Sequence, residues 1–238
     1  VGSIHFVQHV FRILPPLLPF LALSFSYPLW QLGGLVSLYF AGSGFGQAPM
    51  GVVADRYNRR LLVPPSIAVM GAGYLLFAFS PRLVGSETVG FVLGGAPFTA
   101  QFLLMGTGAL IAGLGASAVH PCGYPLVIAN ATEGHEGRLF GMWASAAKLG
   151  DAAAPMAIAV LVLFVPWSEV FLLFGTMGVL YGVVLFLTLS SDIVETRTAD
   201  QRRTGPTSDA DPDPQGSDAK DGANAIYRDR RHYLYPFV

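Results

Sequence analysis

Six stretches of the chain are apolar over about the 20 residues that a helix needs to cross a hydrocarbon core of about 30 Å. They cover residues 4–25, 29–50, 61–79, 98–119 with a continuation open to 129, 139–165 and 170–189. In lipid each backbone N–H and C=O must find its partner within its own segment, so a chain built this way is expected to be an all-α membrane protein of six transmembrane helices. Composition agrees: 53% of residues are hydrophobic and 12% charged, where a soluble domain carries about 25% charged. The first stretch lacks a basic leading region and carries Pro15, Pro16 and Pro19 through its middle, so it is read as a retained span and not as a cleaved signal peptide.

Charge is segregated along the chain. Nine of the fifteen acidic residues follow Ser190, where the composition turns to Asp, Pro, Gly, Ser, Thr and Arg. Such a segment cannot bury enough apolar surface to offset its chain entropy. Residues 1–190 are therefore expected to form the transmembrane domain and 191–225 a disordered acidic cytoplasmic linker. The acidic run between Asp209 and Asp221 is read as a solvated tether. At 226–238 basic residues are followed by aromatics, the pattern of a truncated cytoplasmic entrance to a seventh helix. A single cysteine, Cys122, excludes an intrachain disulfide and a multi-cysteine metal site. The glycines at 42, 44 and 46 superficially match a dinucleotide loop, yet no strand precedes them and they lie inside an apolar span. No cofactor, metal-ligand cluster or nucleic-acid partner is indicated.

Arginines fix the expected orientation. Arg56, Arg59 and Arg60 lie between the second and third stretches, Arg138 between the fourth and fifth, and Arg197, Arg202 and Arg203 after the sixth, against Arg82 alone on the opposite side. By the positive-inside rule both chain ends are cytoplasmic, with the body spanning the cell membrane several times.

The densest of these clusters, GVVADRYNRR at 51–60, must turn sharply between two antiparallel helices. Gly51 permits a close helix approach, and Asn58 is a residue that tolerates a left-handed backbone. Asp55 can cap the following helix or pair with an arginine of the loop. Spacing by itself leaves open that the cluster is topogenic charge alone, setting the side of the membrane. The pattern Gly-x-x-x-Asp-Arg-x-x-Arg-Arg resembles the loop between the second and third helices of the major facilitator superfamily. The resemblance implies that Asp55, Arg56 and Arg60 latch two six-helix halves on the cytoplasmic face, with Gly51, Asn58 and Arg59 completing the gating loop. That family usually has glycine where this chain has Asn58. Further likeness lies in His5-Phe6, in LPPLLP at 14–19 and in GLGASAVHP at 113–121, which resemble efflux transporters of the fosmidomycin-resistance type. That subgroup often carries acidic residues where this chain has His9 and Cys122. The likeness covers about residues 5–189, the amino-terminal half of a twelve-helix transporter.

Charges within the spans are the candidates for chemistry, because each costs about 2.5 to 3.5 kcal/mol at a helix centre and is expected to face a cavity. Lys148 and Asp151 are three apart, on one helical face, and can pair, either as a packing element or as a site that exchanges partners with solute or proton. His5, His9 and Arg12 share a narrow sector of the first span; the stem of Arg12 can also snorkel to the headgroups. His9 beside Arg12 can couple protonation to anion release. His120 precedes Pro121, whose missing amide frees a carbonyl one turn earlier, and such breaks line cavities in transporters; an interfacial histidine is the alternative.

The resemblance implies secondary active transport, proton-coupled efflux of a small organic solute, with His9, Arg12, His120, Lys148 and Asp151 along the substrate or proton pathway. The implied partners are the bilayer, the solute, and a carboxy-terminal six-helix half or a second copy. Two other classes stay open: a truncated, non-transporting membrane module, and a membrane enzyme using His120 with Asp151 as acid and base, although no nucleophile accompanies them. The orientation is testable directly. A cysteine placed at Ser86 is expected to react with an impermeant reagent from outside the cell and one at Ser217 to be protected; the reverse pattern refutes the topology.

Overall fold

The computed structural model describes residues 2–203, apart from 26, 85–87, 130, 132 and 133; side chains are described for these residues except 88–91 and 190–203. The elements are α1 (Gly2–Val10), α2 (Leu14–Ser24), α3 (Leu29–Arg56), α4 (Arg59–Leu83), β1 (Thr88–Leu93), β2 (Ala96–Thr99), α5 (Ala100–Ala116), α6 (Val119–Ala129), α7 (Glu136–Leu161) and α8 (Trp167–Arg203). Two expected spans are each built from two helices. Five stretches among the described residues, Gly2–Ser24, Arg59–Leu83, Ala100–Ala129, Glu136–Leu161 and Trp167–Leu189, are long and apolar enough to cross a membrane. The expected second span is the correction to the count of six. At 28 residues α3 is long enough, but Gly33, Gly34, Gly42, Gly44 and Gly46 dilute its apolar content, and it is not among those five.

The fold also departs from a purely helical one. Antiparallel strands β1 and β2 form a hairpin, with Val92 opposite Pro97 and Leu93 opposite Ala96. Gly94 and Gly95 make its turn at φ 58° and 78°, and two successive positive φ values are what a tight two-residue hairpin requires. The hairpin ends at Thr99, whose hydroxyl accepts from Phe102 N at 3.0 Å and so caps α5. At the carboxyl end α8 stays helical to Arg203, past Ser190 where the composition changes. The rest of the expected linker, 204–225, and the expected entrance at 226–238 lie outside the described residues.

The first span breaks for a reason written in its prolines. Pro15 and Pro16 have no N–H to give to the carbonyls of Phe11 and Arg12, four residues earlier, so α1 cannot run on into α2. The chain closes α1 with Arg12 N bonding His9 O at 3.1 Å and restarts at Leu14. In a membrane interior the stranded carbonyl of Phe11 needs another donor. Tyr74 of α4 provides it, its hydroxyl donating to Phe11 O at 2.6 Å. At the α5–α6 break Pro121 cannot donate to Ser117 O, and the adjacent carbonyl, Ala116 O, accepts from Gln8 Nε2 of α1 at 3.0 Å.

Between helices the close contacts fall at glycines. A Cβ on Gly108 of α5 would stand 2.7 Å from Gly73 O of α4, so these two backbones meet only because neither side has a side chain there. Across the same region Tyr39, Met70, Tyr74, Phe77, Met105 and Phe171 are fully buried. The Phe77 and Phe171 rings stack with centroids 4.3 Å apart, joining α4 to α8. Arg82 and Glu169 pair at 2.7 Å at the exposed end of the same two helices.

Tyr74→Phe tests the account of the break, because it keeps the ring and removes the donor. Leaving a buried carbonyl unsatisfied costs about 1 to 3 kcal/mol. Thermal unfolding in detergent micelles is expected to register a loss of that size, whereas a change within about 0.5 kcal/mol, the usual size for a neutral site, would remove the tyrosine from the argument.

Candidate functional site

The break in the first span places Arg12 between two helices, outside either one. Around it lies a cavity of about 180 Å³ lined by His9, Arg12, Pro15, Pro16, Asp151, Ala154 and Pro155. One wall is the broken first span and the other is α7. Their approach is set by Gly150, where a Cβ would stand 2.6 Å from Phe6 O and 2.8 Å from the Cβ of His9. Because that glycine lets α7 lie against α1, the next residue, Asp151, reaches His9 directly.

Asp151 is the centre of the polar arrangement. Its Oδ1 accepts from His9 Nδ1 at 2.7 Å and from Arg12 at 3.4 Å, while Oδ2 faces Lys148 Nζ at 3.6 Å. The expected Lys148–Asp151 pair is therefore present but long, and the Lys148 side chain is 83% exposed. The short bond runs to another helix. Arg12 also lies over the Phe40 ring, its guanidinium carbon 5.7 Å from the centroid, a geometry in which the ring face attracts the cation.

A chain of rings leads inward from His9. His9 Nε2 stands 3.2 Å from His5 Nε2, and His5 Nδ1 bonds Trp143 O at 2.9 Å. His5 stacks on the Trp143 indole with centroids 3.5 Å apart, and His120 meets His5 edge-on at 5.4 Å. His5, His9 and Gln8 are buried although polar. The structure thus brings His9, Arg12, Lys148 and Asp151 together around one carboxylate and puts His120 against His5. It pairs Asp151 with His9 and not with His120, which removes the geometric basis of the acid and base reading. His5 and Gln8 of α1 and Trp143 and Gly150 of α7 complete the arrangement; His5 carried a spacing signal, whereas the two α7 residues meet it only through the packing of α7 on α1.

The arginine-rich loop lies apart from this cavity, at the α3–α4 junction. Asp55 at the end of α3 pairs with Arg59 at the start of α4 at 2.7 Å, at an exposed position. The cap of α4 is Asn58 and not Asp55: its side chain accepts from Arg60 N at 3.0 Å. Asn58 has φ −65°, so the turn does not use the left-handed backbone expected of it. Gly51 has open space where a Cβ would go, so it makes no close helix approach either. Arg56 ends α3 and Arg60 lies in the first turn of α4.

The unequal roles of the two charges on α7 yield an expectation. Asp151→Ala leaves the buried His9 donor without its acceptor and is expected to cost about 1 to 3 kcal/mol, while Lys148→Gln, at an exposed pair, should cost under about 1 kcal/mol. Unfolding of each variant in micelles decides it, and equal losses would contradict the partition.

Comparison with known proteins places this geometry. A protein described as "Probable L-galactonate transporter" from Escherichia coli (strain K12) is 25% identical over 153 residues, which is 64% of this chain and 30% of that protein. The chain thus matches under a third of the relative's length. The family model of the Major Facilitator Superfamily matches residues 4–211, taking in the broken first span, the arginine-rich loop and the whole cavity. This multi-pass membrane chain belongs to the major facilitator superfamily.

Proposed function

We propose that the chain supplies the amino-terminal half of a secondary active transporter, one that couples proton movement to efflux of a small organic anion. The observation that carries this reading is the cavity at the helix break, where Arg12 and His9 share one oxygen of Asp151. A cation, a carboxylate and an imidazole meet beside space that opens outward, in a span broken by proline. Discontinuous helices in transporters put binding groups near the bilayer midplane. An anionic solute competes with Asp151 for Arg12, and a proton taken by Asp151 or His9 loosens that pair. The relative's printed substrate, L-galactonate, is a carboxylate and supports an anion.

Within the superfamily the proposed subgroup is the fosmidomycin-resistance type, on the strength of His5-Phe6, LPPLLP at 14–19 and GLGASAVHP at 113–121. Asp55, Arg56 and Arg60 are proposed to latch this half to a carboxy-terminal one, whose rocking would expose the cavity to each side in turn. Both chain ends are proposed to face the cytoplasm.

Flux in sealed vesicles tests the proposal. A protein joining this chain to a carboxy-terminal six-helix half is expected to move an organic anion against its gradient when a proton gradient is imposed. Arg12→Gln is expected to reduce that flux at least tenfold while membrane abundance persists. Transport of the anion that is indifferent to both the proton gradient and Arg12 would refute the reading.

A further inference from the structure

We propose that His5, His9 and His120 form a binding site for one divalent transition-metal ion of the zinc type. The proposal does not rest on the transport reading, although His9 is common to the cluster and to the lining of the solute cavity. One nitrogen from each of the three histidines lies within 4.8 Å of the other two. They come from both broken spans, His5 and His9 from α1 and His120 from α6.

The tautomers are fixed by partners that can only accept. His5 Nδ1 faces the Trp143 carbonyl at 2.9 Å, and His9 Nδ1 faces the Asp151 carboxylate at 2.7 Å. Each Nδ1 must therefore carry a proton and donate it, which leaves a lone pair on each Nε2 while both rings are neutral. Those two lone pairs point together across 3.2 Å. Two acceptors cannot satisfy one another, so the pair calls for a proton or a metal ion between them. A tetrahedral ion with nitrogen ligands at about 2.0 to 2.1 Å holds two such atoms about 3.3 Å apart, which matches the observed separation.

The surroundings match what metal-bound histidines require. A ligating imidazole usually donates its other N–H to a carboxylate or a backbone carbonyl, which fixes the ring and raises its basicity. His9 does the first and His5 the second. The third ring is uncommitted at one atom: His120 Nδ1 is buried and has no hydrogen-bond partner. Trp143 stacks on His5 and stands edge-on to His120, holding both rings in place. Asp151 carries negative charge one ring away and separates the site from the guanidinium of Arg12. His9 lines the cavity, which gives an ion a route to the cluster.

A lone shared proton could also sit between the two Nε2 atoms, and the experiment separates the cases. The purified full chain in micelles is titrated with Co²⁺, whose visible absorption reports a low-coordinate nitrogen site. One saturable Co²⁺ per chain is expected, displaced by Zn²⁺. His9→Ala and His120→Ala are expected to weaken binding at least tenfold, and Asp151→Asn by about tenfold through its hold on His9. His120→Cys, which keeps a metal ligand at that position, is expected to retain binding, and so separates lost ligation from lost folding. His135→Ala, outside the cluster, should bind as the parent does. Absence of saturable Co²⁺ absorption in a monodisperse parent chain would assign the gap to a proton and overturn the proposal. Binding that survives His9→Ala and His120→Ala unchanged would also overturn it, by placing the ion elsewhere.

Discussion

The need to satisfy every backbone carbonyl in a medium without water governs this fold. Proline removes a donor wherever it falls in a helix, and in lipid no solvent replaces it. The chain places Pro15, Pro16 and Pro121 inside spans that otherwise read as continuous. A side chain of a neighbouring helix donates beside each break: Tyr74 to Phe11 O, and Gln8 to Ala116 O, the carbonyl next to the one Pro121 leaves without its helical donor. These bonds tie α4 to the first break and α1 to the second. The polar cavity is a consequence, since a broken helix allows Arg12 to leave the helical register while its neighbours stay buried.

Close packing decides which polar groups can meet. Gly150 lets the backbone of α7 approach α1, and Asp151 inherits the short distance to His9 from that contact. A larger residue at 150 would separate the helices and lengthen the His9–Asp151 bond even though neither partner had changed. The exposed Asp55–Arg59 pair is as short, at 2.7 Å, yet it gains little from its geometry because water competes for both groups. Distance alone does not rank these pairs; the medium around them does.

Much of the body was legible from apolar length, because hydrogen bonding in lipid leaves few alternatives to helices. The prolines that break the first span were visible, but which residue would repair the break was not, since Tyr74 is more than sixty positions from Phe11. The hairpin was missed although Gly94-Gly95 between apolar residues is its usual signal; the neighbouring apolar span masked it. Spacing found the sector shared by His5, His9 and Arg12, and it found Lys148 near Asp151. It could not show that Asp151 turns toward α1, because that depends on how two helices rotate when Gly150 meets His9. The left-handed expectation for Asn58 failed for a local reason: its side chain caps α4 at Arg60 N, which requires an extended backbone at that residue.

The charges around the cavity are balanced in a way that constrains what can enter. Arg12 and Asp151 offset each other, His5 and His9 each turn Nδ1 toward an acceptor, and Lys148 is exposed. Removing one member of such a set leaves a bare charge in a low-dielectric place, which is costly. Replacing one charge by another of the same sign is cheap by comparison. In the proposed transport an incoming anion takes the place of Asp151 at Arg12, where the contact is the longer one at 3.4 Å, while the shorter His9 bond persists. A cation at the proposed imidazole site would likewise strengthen the pull on Asp151 and leave Arg12 freer for the proposed anion. The same carboxylate therefore links the two ends of the site, so an ion bound at one end changes the electrostatic cost of binding at the other.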